Sequence, residues 1–169
     1  DGRFIVYQNL QGSRMWMLPL FGDKKPFVVL EGPFVKDEPH FSPDGHWLAY
    51  YSAESGRPEV YVQPFPGPGE KVRVSIDGGS QPRWRKDGAE LFYLSLDGKM
   101  MSVALKPGAT VQPGTPVVLF QTPITDMQPN IDQYAVSADG QRFVVLAPEG
   151  QAPPLPITVV LNWTAGLAK

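Results

Sequence analysis

Catalysis needs a nucleophile, a proton carrier or a metal ligand held at a useful spacing, and few residues of this chain qualify. There are two histidines, His40 and His46, and no cysteine. Histidine is the commonest general base. His46 follows a turn glycine and is expected to face solvent; His40 lies in Pro39-His40-Phe41-Ser42, read as a strand, and is a candidate to touch a ligand. Two histidines in adjacent segments make a poor metal site, and no His-Glu-x-x-His helix is present. No Gly-x-Ser-x-Gly elbow surrounds a serine, and Gly78-Gly79-Ser80 reads as a turn before a strand. Gly67-Pro68-Gly69-Glu70-Lys71 is glycine-rich but lacks the Gly-Lys-Ser/Thr that cradles phosphate. The carboxylates of Asp37-Glu38 would point to opposite faces of a strand, so they would not easily share a proton. A glycosidase-type pair would have to come from separate segments. These residues suggest no catalytic constellation, no metal site and no cofactor.

The elements that carry these residues follow from composition. The 169 residues include 17 Gly and 19 Pro, with 11% aromatic residues. That much Gly and Pro interrupts a chain too often for long helices, and the aromatic and β-branched content argues against disorder. Many short strands joined by tight turns is the reading that fits. Fifteen basic against 17 acidic residues, with no basic run, exclude a nucleic-acid footprint. No apolar stretch reaches the roughly 18 residues of a membrane span; the longest compact one, Ile157 to Leu161, is strand-sized. The lack of cysteine excludes disulfides and suits either redox compartment.

A repeat organises the strands. Asp-Gly followed by an apolar run occurs at Asp1-Gly2, Asp44-Gly45, Asp87-Gly88 and Asp139-Gly140. The spacings, 43, 43 and 52 residues, match one four-stranded blade of a β-propeller. A hairpin tight enough to reverse adjacent strands needs positive φ, which Gly takes without steric cost. Asp hydrogen-bonds the local backbone there.

Around this anchor the chain divides into blade units of about 1–36, 37–79, 80–131 and 132–169. The first strands are Pro39–Ser42, Pro82–Arg85 and Tyr134–Ser137, and the second are the apolar runs after Asp-Gly. The third are Met15–Leu20, Val60–Phe65, Met100–Leu105 and Ile157–Asn162; the fourth are Pro26–Leu30, Lys71–Ser75 and Pro116–Phe120. Residues 121–132 form an insertion. The fold class is all-β, a propeller of four-stranded antiparallel blades. A ring normally closes with four to eight blades, so three to four blades, fourteen strands in all, are fewer than a usual ring of this kind holds. Either further blades lie upstream or a homodimer completes the ring. Because the chain opens inside a repeat, a start upstream is expected, and the missing leader says nothing about location.

The string Pro39-His40-Phe41-Ser42-Pro43-Asp44-Gly45 followed by Leu48-Ala49-Tyr50-Tyr51-Ser52 resembles the TolB-like, WD-related propeller repeat. The other units keep Asp-Gly and part of its lead-in. The ending, Pro156 to Trp163, looks like the closing segment of propellers fused to bacterial Ser/Thr protein kinases. That resemblance implies an extracytoplasmic module acting as a sensor, with a cytoplasmic location left as the alternative. No kinase signature is present in the segment itself.

In propellers of this kind the first strand is innermost. Aligning the units then places Glu38, Gln81 and Gln133 at one equivalent position, and His40, Arg83 and Ala135 at another. Glu38, His40, Gln81, Arg83 and Gln133 are therefore the candidate ligand-binding residues at the channel mouth. Trp16, Trp47 and Trp84 are expected between blades. The functional expectation is a non-catalytic propeller that binds a small ligand or a protein or peptide. The propeller portion of a hydrolase or peptidase is the alternative, and a self-associating module a second one.

Overall fold

The computed structural model describes residues 2–9, 11–67, 69–106, 108, 110–128 and 131–147. No helix occurs among them, so none is long and apolar enough to cross a membrane. The first unit comprises β1 (Phe4–Gln8), β2 (Arg14–Pro19) and β3 (Phe27–Glu31); the second, β4 (Lys36–Phe41), β5 (Trp47–Ser52), β6 (Glu59–Pro64) and β7 (Val72–Arg73). The third holds β8 (Ser80–Trp84), β9 (Glu90–Leu94), β10 (Lys99–Lys106), the short β11 (Gln112–Pro113) and β12 (Val117–Gln121); the fourth, β13 (Tyr134–Val136) and β14 (Phe143–Val145). Each unit is an antiparallel meander in chain order, except that β12 pairs with β10, and β11 also pairs with the far end of β10. The inner strands start earlier than their sequence suggests, at Lys36 and Ser80, and β11 was not anticipated. The expected strand at 157–162 lies outside the described residues.

The Asp-Gly turns share one hydrogen-bonded design. In the second unit Ser42 Oγ donates to Asp44 Oδ1, which also accepts from His46 N at 3.0 Å, while Trp47 N donates to Ser42 Oγ at 2.9 Å. Ser137 and Asp139 repeat this with Gln141 N and Arg142 N. In the third unit Arg85 replaces the serine and its Nε donates to Asp87 Oδ1 at 2.8 Å. The arrangement satisfies amides that a tight turn leaves without a ladder partner.

Three apolar layers hold the four units side by side. Met15 and Met17 pack with Leu48, Tyr50, Tyr61 and Phe65 between the first and second units. Ala49, Val60 and Val62 meet Leu91, Tyr93, Met101 and Val103 between the second and third, with Trp47 and Trp84 at the margin. Phe92, Leu94 and Met100 meet Tyr134 and Phe143 between the third and fourth, where the Phe92 and Phe143 rings pack edge to face at 5.1 Å. Residues alternate along β5 and β9, so successive side chains serve opposite neighbours. Trp16 departs from expectation: it stacks on Tyr7, on the first unit's face away from the second.

Gly98 and Gly22 both have positive φ, at +76° and +58°, but a Cβ on Gly98 would lie 2.1 Å from the Ile124 carbonyl oxygen while one on Gly22 meets nothing within 4 Å. Gly22→Ala therefore costs only the left-handed backbone term, about 1–2 kcal/mol. Gly98→Ala adds displacement of the Ile124 backbone. At about 2–4 °C per kcal/mol for a chain of this size, thermal melting should show G98A lowering Tm at least twice as far as G22A. Equal shifts would contradict the packing described.

Candidate functional site

The inner strands β4 and β8 carry the same irregularity. Asp37 pairs with Tyr51 and His40 with Ala49, so β4 spends three residues where β5 spends two. Ser80 pairs with Leu94 and Arg83 with Phe92 in the same way. Each bulge holds one residue in the left-handed region, Glu38 at φ 53° and Gln81 at φ 54°. Each is followed by a proline, Pro39 or Pro82, which has no N–H to offer a ladder. A bulge bends its strand and re-aims the side chains around it.

The re-aimed side chains cross to the next unit. Glu38 Oε2 accepts from Gln81 N at 2.7 Å. Gln81 Oε1 accepts from Gln133 N at 2.9 Å, and Gln81 Nε2 donates to Gln133 Oε1 and to the Ile131 carbonyl, both at 3.0 Å. Gln133 Nε2 donates to the Asp126 carbonyl at 2.8 Å, and its Oε1 also accepts from Gln128 N. Tyr134 Oη donates to the Gln81 carbonyl at 2.7 Å. Gln81 and Gln133 are 1% and 6% exposed. Three of the five predicted residues thus form one chain from unit to unit, the two amides buried and the Glu38 carboxylate half-buried.

The other two, His40 and Arg83, lie together on the open side of that chain. They line a cleft of about 430 Å³ with Phe41, Trp84, Asp132 and Tyr134, closed on its far side by Val136, Val144 and Leu146. Gln133 reaches its edge; Glu38 and Gln81 line a separate, smaller hollow beside Tyr51 and Met127. The Arg83 guanidinium is fixed from three sides. It donates to the Pro82 carbonyl at 2.8 Å, pairs with Asp132, and lies 5.7 Å from the centre of the Tyr134 ring. Trp84 Nε1 donates to the His40 carbonyl at 3.1 Å and so ties the cleft's two strands together. His46 is exposed, as expected.

Burial sets the charge states. Desolvation, with the Arg83 charge beside it, pushes the His40 imidazole down to about 4, although Asp132 acts the other way. His40 is therefore neutral at physiological pH, one ring nitrogen donating and the other accepting. Desolvation also pushes Glu38 up to about 7, opposed by its bond from Gln81 and by Arg83. The cleft thus offers one fixed cation, one neutral imidazole and a largely apolar wall. Among the described residues no group of three or more acidic or histidine side chains is gathered as a metal site.

Sequence reasoning missed Asp132, Tyr134 and Trp84 as members of the cleft. Asp132 occupies the place of Asp37 and Ser80, one residue before the aligned position. The signal for it was Arg83, a cation on an inner strand that needs a counter-ion.

No family model and no curated protein matches the chain. Solved structures do. TolB from Acinetobacter baumannii superimposes with a TM-score of 0.61 at 16% identity, over 87% of this chain and 35% of that one. An oligogalacturonate lyase in complex with manganese gives 0.60 at 15%, over 87% and 42%. A Mycobacterium tuberculosis puromycin-hydrolyzing peptidase gives 0.56 at 16%, over 92% and 35%. The fold is that of TolB-like and related β-propellers, and the chain spans between about a third and a half of the length of these structures. The likeness takes in both TolB and enzymes.

Glu38 carries a pH prediction. A carboxyl whose folded pKa is raised stabilises the native state fully below its unfolded value, and that contribution is lost as pH rises through the folded value. From 4.5 unfolded to about 7 folded, Glu38 makes the protein less stable as pH rises across that window, by roughly 3 kcal/mol. Glu38→Gln keeps an acceptor for Gln81 N and removes the titration. Urea unfolding at a series of pH values should show the wild type losing stability relative to E38Q between pH 4.5 and 7. Parallel profiles would show that Glu38 does not titrate in this window.

Proposed function

We propose that this chain is a non-catalytic binding module whose ligand, a peptide or protein segment or a small molecule, seats in the cleft between β4, β8 and β13. The observation that carries the reading is the convergence of Arg83 and His40 over an apolar wall of Phe41, Trp84 and Val136. Pockets that hold ligands are mostly apolar, with a few placed polar groups that fix orientation. Arg83 supplies a preorganised fork for a carboxylate or carbonyl, since its side chain is already held by Pro82, Asp132 and Tyr134. His40, kept neutral, can both donate and accept. Glu38, Gln81 and Gln133 serve the site by fixing the strands that present these two.

The resemblance of the closing segment to propellers fused to bacterial Ser/Thr kinases supports a finer assignment, the extracytoplasmic sensor part of a receptor-type kinase. An enzyme of the hydrolase or peptidase kind is the competing reading. It would need a nucleophile and base in the cleft, where the titratable side chains are His40, Arg83, Asp132 and Tyr134. Burial raises the Tyr134 phenol well above its ordinary range, which makes it a poor nucleophile or base.

A phage-displayed library of random dodecamer peptides, panned on the chain, tests the reading. Enriched peptides should bind Arg83→Ala and His40→Ala at least tenfold more weakly than wild type by titration calorimetry, with melting temperatures little changed. Binding that is indifferent to both substitutions would move the site elsewhere. Cleavage of a bound peptide would overturn the non-catalytic assignment.

A further inference from the structure

The smaller hollow beside the inner strands has a volume of about 190 Å³, and its lining includes Glu38, Tyr51, Pro58, Met127 and Gln128. It shares no lining residue with the cleft that holds His40 and Arg83. A regular strand would send the Asp37 and Glu38 carboxyls to opposite faces, but β4 is bulged between them and His40. Asp37 stands opposite Tyr51 in the ladder, and Glu38, at φ 53°, lines the hollow with the same tyrosine. Glu38 N donates to Asp37 Oδ1 at 2.7 Å. The bulge thus brings both carboxyls to the Tyr51 side of the sheet, which corrects the expectation from the sequence.

This pair lacks the partners that other buried acids have. Among the described residues the buried acidic side chains are Asp37, Glu59 and Glu90. Glu59 is held by Arg57 and Ser75, and Glu90 by Arg85 and Ser102. Asp37, 8% exposed, has neither a cation nor a hydroxyl; its one bond comes from the neighbouring Glu38 amide. Glu38 spends Oε2 on Gln81 N and keeps Oε1 unbonded. Arg83, the cation that acts on Glu38, is already paired with Asp132. A buried charge is ordinarily paired, because leaving water costs it more than any other group. Burial, with the Asp37 charge after it, holds the Glu38 carboxyl up at about 7. Burial and both carboxylates push the Tyr51 phenol up to about 12, so it stays protonated with an oxygen that can accept.

We propose that this hollow binds a small primary alkylamine, its ammonium seated against Asp37, Glu38 and Tyr51. An ammonium has three N–H donors and no acceptor. Glu38 Oε1, the Tyr51 hydroxyl and the Gln128 side-chain carbonyl are acceptors in the lining, and the face of the Tyr51 ring also attracts a cation. Pro58 and Met127 supply apolar contact for the attached carbons. A divalent metal ion takes about six or more oxygen ligands, and among the described residues no third carboxylate or histidine joins this pair. The donor set therefore suits an ammonium. The proposal does not rest on the ligand assigned to the cleft, so either can fail alone.

Carbon-13 NMR of the glutamate carboxyls, with the Glu38 signal identified by its absence in Glu38→Gln, tests this on the wild-type chain. Free, the Glu38 carboxyl should titrate at about 7. In saturating n-butylamine, which like lysine is charged throughout the titration, that pKa should fall by about 1–3 units, because a neighbouring cation favours the carboxylate. n-Butanol, matched in size but uncharged, should leave it in place. The other charges that act on Glu38, those of Asp37, Arg83 and Asp132, are common to both titrations. Asp37→Asn and Glu38→Gln should each weaken butylamine binding about tenfold or more, and His40→Ala should not. A Glu38 titration that the amine does not move, or that butanol moves equally, would overturn the proposal. So would amine binding that survives both D37N and E38Q. Displacement of the amine by calcium ions would overturn it in favour of a metal site.

Discussion

The structure depends on one repeated contact, a bulged inner-strand residue whose side chain accepts a backbone N–H of the next unit. Apolar layers alone would let neighbouring sheets slide, since burial is non-directional. The bonds from Gln81 N to Glu38 and from Gln133 N to Gln81 are directional, the first half-buried and the second buried. A slipped register would leave these groups without partners, at a cost of about 1–3 kcal/mol each. Left-handed backbone at Glu38 and Gln81 is itself unfavourable for residues with a Cβ. The bonds offset that cost, so strain at these two positions is tied to the join between units rather than to catalysis.

The cleft is a consequence of that join. His40 and Arg83 each lie two residues beyond a bulge residue, on strands whose relative height the join has fixed. Their approach, the Trp84 bond to the His40 carbonyl and the Arg83–Asp132 pair all follow. The low pKa of His40 has the same origin, because burial and the neighbouring guanidinium both disfavour its protonation. A module pinned at its inner ends in this way presents a preformed surface, and under the proposed binding role that lowers the ordering cost of taking up a ligand.

Much of the fold was legible in the sequence because Asp-Gly turns impose a strict local geometry at a regular spacing. The spacings of 43 and 52 residues reappear as the separations between hydrogen-bonded partners, Glu38 with Gln81 and Gln81 with Gln133. The alignment that found these residues equivalent was therefore physically meaningful. What they do was not legible. A regular strand would aim Glu38 and Gln81 at the channel, and only a bulge with positive φ turns them along the ring. Nothing in single-residue patterns marks that φ, although the shared Glu/Gln-Pro pair hints at a break in the ladder. Trp16 was read as a residue between blades because large aromatics usually bury; its place on the first unit's outer face depends on which unit precedes it. Asp132 and Tyr134 escaped because they stand beside the aligned positions, Gln133 and Ala135, rather than at them.

The claim that unit-to-unit side-chain bonds fix the architecture is tested most directly by a double-mutant cycle on Gln81 and Gln133. Unfolding free energies of Q81A, Q133A and the double variant yield their coupling. The account predicts a coupling of about 1–3 kcal/mol, because either single change already destroys the shared network. Additivity within about 0.5 kcal/mol would contradict it, and would mean that the apolar layers alone set how the units join.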